Sequence, residues 1–433
     1  MRQIRARAVA CLSFLVLSAP APAYSYSVLT HEAIIDSVWD TSIRKLLLKR
    51  FPDATPEDLI HAHAYAYGGC IIQDMGYYPF GNKFFSDLVH YVRTGDFILA
   101  LIRDSQDLNE YAFSLGALAH YAADNNGHRI GINRAVPLLF PKLRQKFGDQ
   151  ITYADDKASH LKTEFAFDVV QVAKGHYAPN SYHSFIGFEV SVPVLERAFQ
   201  DTYSLEMRQV FTDLNGALGS YRRTVSSIIP EMTKVAWQTK KDEILKDTPS
   251  ATRSKFLYNL SRASYEKEWG TSYQKPGLRA RFLAFLFRIV PKVGPFKALA
   301  FRTPTPETEK MFMASFDVTL DRYRALLSTL EKDNLKLPNE NFDVGTPTSA
   351  GQYRLSDDTY ANLLDKLAGR YSEVPQELRK DILAFYRDLN VPIDTKKDNK
   401  KWAQLLGELD QLKAVQQQNP HAVGAMQYNF SRR

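Results

Sequence analysis

An all-α fold is what this sequence predicts. Apolar residues recur at intervals of three and four over 31–49, 57–67, 108–124 and 157–174, the spacing of one buried helix face. No hairpin signal and no run of alternating strand residues stands out. His120 and Asp124 are four apart, as are His160 and Glu164. On a helix that spacing sets both side chains on one face, a turn apart.

The elements follow in chain order. Residues 1–23 read MRQIRARAVACLSFLVLSAPAPA. Arg2, Arg5 and Arg7 form a basic region, 8–18 a short apolar stretch, and Ala21-Pro22-Ala23 a small-residue cleavage site, the pattern of a secretory signal. The apolar stretch is too short to span a bilayer. Cleavage after Ala23 exposes Tyr24, and cleavage after Ser25 exposes Tyr26. The expected mature protein is secreted or periplasmic, and its free α-amine lies seven or five residues before His31. The stretch LNEYAFSLGALAHYAADNN is apolar on almost all sides, as a central buried helix would be. Asn125, Asn126 and Gly127 resemble a helix C-cap and predict that His128 sits just past the helix end.

Beyond residue 200 the sequence predicts amphipathic helices over 202–247, 307–332, 355–370 and 375–389. The segment 342–358, FDVGTPTSAGQYRLSDD, is rich in turn formers and reads as a surface loop. Residues 279–302, RARFLAFLFRIVPKVGPFKALAFR, interleave Phe and Leu with six basic side chains and no acids. Two readings fit: an interfacial anchor in contact with a membrane surface, or a buried helix pair with Lys and Arg reaching outward at its ends. The expected organisation is a signal peptide (1–23), a metal-binding domain (24–200) and a helical C-terminal extension (201–433) of unknown role.

Composition bounds the function. Apolar residues make up 45 % of the chain, enough for a sizeable core. Cys11 leaves with the signal, so Cys70 is the sole mature cysteine, which excludes an intramolecular disulfide and a thiolate zinc site. Loss of three arginines and no acids takes the net charge from +7 to +4. That balance slightly favours anionic membranes or phosphate substrates. There is no internal repeat, no Walker A loop and no GxSxG elbow.

Eight side chains carry the chemistry: His31, Asp74, His90, His120, Asp124, His128, His160 and Glu164. Imidazole and carboxylate suit zinc and similar divalent ions. Each i, i+4 pair can grip an ion from a rigid helix, and Asp124 has two oxygens with which to bridge two. The set exceeds the needs of one zinc and points to two or three ions. A neutral amine at Tyr24 or Tyr26 is a further candidate ligand, because its pKa of roughly 8 leaves part of it neutral near pH 7. His61 and His63, in HAHAYAYGG, have no spacing that requires them in the same pocket.

In type and order these residues resemble the zinc-dependent phospholipase C family, which shares its fold with the S1/P1 nucleases. The resemblance covers roughly residues 24–200. It implies an all-α, phospholipase C/P1 nuclease-like helical domain holding three zinc ions through the processed N-terminus (Tyr24 or Tyr26), His31 in LTHEAI, Asp74 in IIQDMG, His90 in SDLVHY, His120, Asp124, His128, His160 and Glu164. Asp124 and His128 are four apart, whereas the simple phospholipases and the nucleases have six. The shorter form, with THEAI and HLKTEFAFD, is more similar to the catalytic domain of glycosylphosphatidylinositol-specific phospholipase D. Met75 and Asp87 stand where the phosphatidylcholine enzymes carry aromatic choline contacts, so choline selectivity is not implied.

The expected function is hydrolysis of a phosphoester, most simply a phospholipid, by metal-activated water, with Asp74 holding a metal and orienting or deprotonating the water. One alternative is a single-strand nuclease or nucleotidase on the same trinuclear site, favoured by the five-residue spacing from Tyr26 to His31. Another is a non-catalytic binding protein with a metal-stabilised fold. No feature points to a protein partner.

Overall fold

The computed structural model describes residues 27–177, 188–263 and 300–418. Tyr24, Tyr26, the signal segment and 279–299 lie outside the described residues. Nearly all of the regular structure is helical. Among the described residues the one pairing of extended chain is an antiparallel bridge between Asn341 and Thr346.

The first helix, α1 (Val28–Val38), continues through a π-helical turn, Trp39–Ile43, into α2 (Arg44–Arg50). Helix α3 (Pro56–Gly69) starts on a capping box in which Thr55 and Asp58 satisfy each other's backbone donors, with Pro56 at the first helical position. A short 3-10 turn, Ile72–Tyr77, leads to α4 (Lys83–Tyr91) and α5 (Thr94–Asp104). Helix α6 (Leu108–Asn126) is capped by Asp107, which accepts from Glu110 N at 2.8 Å. It is buried along almost its whole length, as its all-round apolar sequence predicts.

The predicted C-cap after α6 is not one. Gly127 has φ −58°, an ordinary right-handed value, and the chain runs on as a π-helical stretch, Gly127–Ile132, into α7 (Asn133–Leu139). His128 therefore lies inside a wider helical turn. Such turns interrupt α-helices most often at functional sites, and this one redirects His128 away from His120 and Asp124.

Next come α8 (Pro141–Phe147) and α9 (Lys157–Lys174), the latter capped by Asp156. Helices α10 (Val192–Tyr203), α11 (Met207–Val210) and α12 (Leu214–Arg223) follow, then a π turn and α13 (Ile229–Asp247) and α14 (Arg253–Ala263). The rest is α15 (Pro306–Glu331), α16 (Arg354–Leu367), α17 (Gln376–Phe385) and α18 (Asn399–Gln418).

Helix α6 is the axis of the fold. It crosses α3 so closely that a Cβ on Gly116 would stand 2.0 Å from Ala66 O, and one on Gly69 would stand 1.9 Å from Phe113 O. Only glycine permits that backbone-to-backbone approach. On another side α15 packs against α6 and its π turn, and Tyr323 donates to Leu115 O at 2.8 Å. The apolar core runs across residue 200: Tyr323, Leu327, Phe342 and Leu363 are buried in one cluster with Phe113, Leu115 and Ala119. A smaller core around Trp237 and Phe256 gathers α9, α13 and α14.

The segment 342–358 is not a surface loop. Phe342 and Asp343 are buried, and Arg354 begins α16. Its turn formers shape a tight inward loop: Gly345, at φ +67°, lies so close to Asn125 that a Cβ would be 2.3 Å from the carbonyl oxygen.

Candidate metal centre

Each of the eight side chains is at most 3 % exposed. Helix α1 delivers His31, the 3-10 turn Asp74, α4 His90, α6 His120 and Asp124, the π turn His128, and α9 His160 and Glu164. They converge as three groups, His31–His120–Asp124, Asp74–His90–His120 and His128–His160–Glu164, with the donor atoms of each group within 4.8 Å of one another.

The separations are those of shared ligands. His90 Nε2 is 3.4 Å from both Asp74 Oδ1 and Asp124 Oδ2. His120 Nε2 is 3.1 Å from Asp124 Oδ2, and His31 Nε2 is 3.6 Å from Asp124 Oδ1. His160 Nδ1 is 3.6 Å from Glu164 Oε1. Two donors each about 2.0–2.2 Å from one tetrahedral zinc stand roughly 3.3–3.6 Å apart. Asp124 turns one oxygen toward His31 and the other toward His90 and His120, which is the placement of a bridging carboxylate.

Backbone carbonyls fix the imidazole tautomers. His90 Nδ1 donates to Ser86 O at 2.7 Å and His120 Nδ1 to Cys70 O at 3.0 Å, which leaves each Nε2 facing the carboxylates. His160 is reversed: Nε2 donates to Ile151 O at 2.5 Å, and Nδ1 faces Glu164. A carbonyl only accepts, so each proton is on the outward nitrogen. Such outer hydrogen bonds orient metal-ligating histidines.

The electrostatics suit a cation. Both oxygens of Asp74, Asp124 and Glu164 find no hydrogen-bond donor of normal geometry among the described residues, although buried polar groups are otherwise satisfied. Burial, with repulsion from Asp74, Asp124 and Asp343, pushes Glu164 well above the usual carboxylate range. Burial likewise raises Asp74. Asp124 is held well below its ordinary value, because His120 and His90 outweigh the cost of burial. Burial and His120 push His31 down to about 3, and burial and His128 push His160 down to about 4, so both rings are neutral, the form that binds metal. Burial lowers His90 too, but Asp124 and Asp74 reverse this and raise it to about 10. Protein charges alone leave Asp74 and Glu164 under-compensated. Divalent ions held by His31, His120 and Asp124, by Asp74, His90 and His120, and by His128, His160 and Glu164 would compensate them.

His63 is not in the cluster. It is buried against Asp36 at 3.1 Å and stacks on Trp39, while His61 is exposed. Cys70 is buried with a raised thiol pKa and contributes its carbonyl, not its sulfur. Several neighbours carried no signal in the sequence. Phe342 lies against the rings of His90 and His120, and Asp343 faces His128 at 3.6 Å. Tyr77 and Tyr153 lie beside His90 and His160, and Lys157 Nζ sits 5.4 and 5.3 Å from their ring centres. Asp87 is buried, paired with Lys83, and accepts from Tyr77 at 3.3 Å.

No curated protein and no solved structure matches the chain. The family model described as zinc dependent phospholipase C matches residues 30–213, a span that holds all eight candidate ligands. Over these residues, somewhat under half of the chain, the sequence is that of the zinc-dependent phospholipase C family, a family of zinc-dependent hydrolases.

Proposed function

We propose that the protein is a secreted or periplasmic phosphodiesterase that hydrolyses phospholipid with activated water. The observation that carries this reading is the convergence of five imidazoles and three buried carboxylates whose oxygens lack donors. Zinc held there would polarise a phosphoester oxygen and make the attacking water more acidic. Asp74 is the residue we assign to that water. Burial raises its proton affinity, which suits a general base, and its two oxygens have no competing donor. Asp124 holds His120 and His31 in a common frame. Tautomers fixed by Ser86, Cys70 and Ile151 spare the site reorganisation during the reaction.

At the edge of the site, Lys157 between Tyr77 and Tyr153 supplies a cation for the substrate. Burial lowers its pKa to about 8, so it remains largely charged at neutral pH. With Asp87 already engaged by Lys83, this edge suits an anionic head group or phosphate rather than a quaternary ammonium group. Export follows from the basic, apolar and small-residue order of residues 1–23.

The test is metal analysis of the purified mature protein, then assay on anionic phospholipid, phosphatidylcholine and single-stranded DNA. Two or three zinc ions per chain and lipid hydrolysis are expected, with activity falling at least 100-fold in Asp74→Asn. Fewer than one ion per chain, or turnover of DNA alone, would overturn the proposal.

A further inference from the structure

We propose that Phe80 is a wedge that enters the surface of an anionic phospholipid bilayer beside the metal centre. The inference rests on the phospholipid reading above and concerns how such a substrate is met in its membrane.

Phe80 stands apart from the rest of the surface. It is 79 % exposed, whereas the other exposed large apolar side chains among the described residues, Ile60 and Val318, reach 40 and 42 %. A single exposed apolar residue is ordinary, but this one also occupies a strained backbone position. Tyr78-Pro79-Phe80-Gly81 is a tight turn, closed by Gly81 N donating to Tyr78 O at 2.9 Å. Proline fixes a negative φ at the second position, and Phe80 has φ +63° at the third. That is the type II turn, whose third position calls for Gly or Asn. A phenylalanine there bears the left-handed penalty and buries little of its ring in return. Strain of this kind persists where function uses it.

The turn is held stiffly at both ends. Tyr78 is buried, and its ring packs edge-on against Tyr221 with centres 4.9 Å apart. A Cβ on Gly81 would stand 2.4 Å from Met75 O, so the turn closes against the 3-10 segment that bears Asp74. Asn82 accepts from Phe84 N at 2.9 Å at the start of α4 and donates to Val210 O at 2.6 Å. So fixed, the turn has little freedom to fold Phe80 back onto the protein.

Position and charge point to a lipid surface. Phe80 follows Tyr77 by three residues, at most about 11 Å of chain. The Tyr77 ring lies beside His90 and 5.4 Å from Lys157 Nζ. Lys83, three residues beyond Phe80, is exposed, pairs with Asp87, and stands close enough to Lys157 to add to the effect of burial in lowering its pKa. Lys366 is exposed too, with Nζ 5.9 Å from the centre of the Phe84 ring. An aromatic ring that enters the acyl boundary, with ammonium groups left at the level of the phosphates, is the chemistry of an interfacial contact with anionic lipid. Inserted there, Phe80 would set the mouth of the metal centre against the head groups.

The experiment uses the full mature chain, loaded with zinc, as parent, Phe80→Gly and Phe80→Trp. Binding is measured by sedimentation with vesicles of mixed phosphatidylglycerol and phosphatidylcholine, and with phosphatidylcholine alone. Hydrolysis is measured on phosphatidylglycerol in vesicles and on a short-chain form dispersed as monomers. Phe80→Gly relieves the strained turn, so its melting temperature should be no lower than the parent's. Its affinity for the mixed vesicles should fall roughly 10-fold or more, and hydrolysis in vesicles with it, while hydrolysis of the monomer stays unchanged. Phe80→Trp should keep the affinity and show a blue shift in emission on vesicle binding that the parent lacks. Parental affinity in Phe80→Gly, equal binding of the parent to both kinds of vesicle, or a binding loss accompanied by a lower melting temperature would overturn the proposal. A parent that binds vesicles through Phe80 but hydrolyses neither form overturns the phospholipid reading alone. A parent that hydrolyses both forms, matched on vesicles by Phe80→Gly, overturns the wedge alone.

Discussion

Gly116→Ala tests how the metal centre depends on helix packing. The added Cβ would stand 2.0 Å from Ala66 O and 2.9 Å from Cys70 N, both backbone atoms that no rotamer change can move aside. Cβ contacts under 3.0 Å are essentially never tolerated, so α3 and α6 must separate by about 1 Å. Overpacking of this kind costs about 3 kcal/mol at the upper end of its usual range. Replacing a mid-helix glycine with alanine returns about 1 kcal/mol. The net destabilisation is therefore about 2 kcal/mol, a fall of about 2 °C in melting temperature for a chain of this length. The same separation pulls Cys70 O away from His120 Nδ1, a 3.0 Å bond one turn along. Loss of such an orienting bond weakens metal affinity by roughly 10- to 100-fold. Calorimetry and chelator competition read both effects. Gly219→Ala is the control: Gly219 is exposed in α12, and its Cβ would meet nothing within 4 Å. It should be stabilised by up to about 1 kcal/mol. A stable Gly116→Ala protein with parental zinc affinity, or the same sign of change at both glycines, would refute the reasoning.

Three further outcomes are expected. Burial raises Asp381 to about 6, where it accepts from Tyr360 at 2.9 Å. Below about pH 4 both folded and unfolded chains hold its proton, and between about 4 and 6 only the folded chain does, so stability from this group falls as pH rises through that window. Asp381→Asn should therefore gain roughly 1–3 kcal/mol at pH 7 and almost nothing at pH 4 in urea titrations; equal gains at both would count against this. An uncleaved N-terminal tag should impair one zinc site if the mature amine at Tyr24 or Tyr26 is a ligand, and parental zinc content in the tagged protein would argue otherwise. Replacing Phe282, Phe285 and Phe287 with Ser should release the protein from anionic vesicles at unchanged melting temperature if 279–302 is a membrane anchor; a loss of several kcal/mol in stability instead identifies it as core.

The helices that carry the ligands were legible because burial imposes a period on them. The predicted spans 157–174 and 307–332 compare with Lys157–Lys174 and Pro306–Glu331 in the structure. The ligand pairs within α6 and α9 were legible for the same reason, since i and i+4 is a helical relation before it is a metal relation. What failed was local. Asn125-Asn126-Gly127 has the composition of a cap, but packing of α15 and the 341–346 loop over it keeps the backbone helical. Asp343 was invisible because no periodicity leads to it: it sits in a turn-rich run, and bonds from Tyr91, Asn133 and Tyr353 place it. Tyr77, Tyr153 and Lys157 are gathered by tertiary packing and share no motif.

The wall formed by Phe342 and Asp343 has a consequence for biosynthesis. The polypeptide emerges with His31 first, yet the ring that covers His90 and His120 is encoded near the far end of the described chain. Until residue 342 has been made, that hollow has no lid, and a nascent chain carries its imidazoles and carboxylates on an unfinished apolar surface. Correct zinc loading is thus expected to be a late event, after synthesis rather than during it. Chains that end before the 341–346 loop should be recognised as unfinished, through aggregation or proteolysis, even though every residue of the matched domain is present in them.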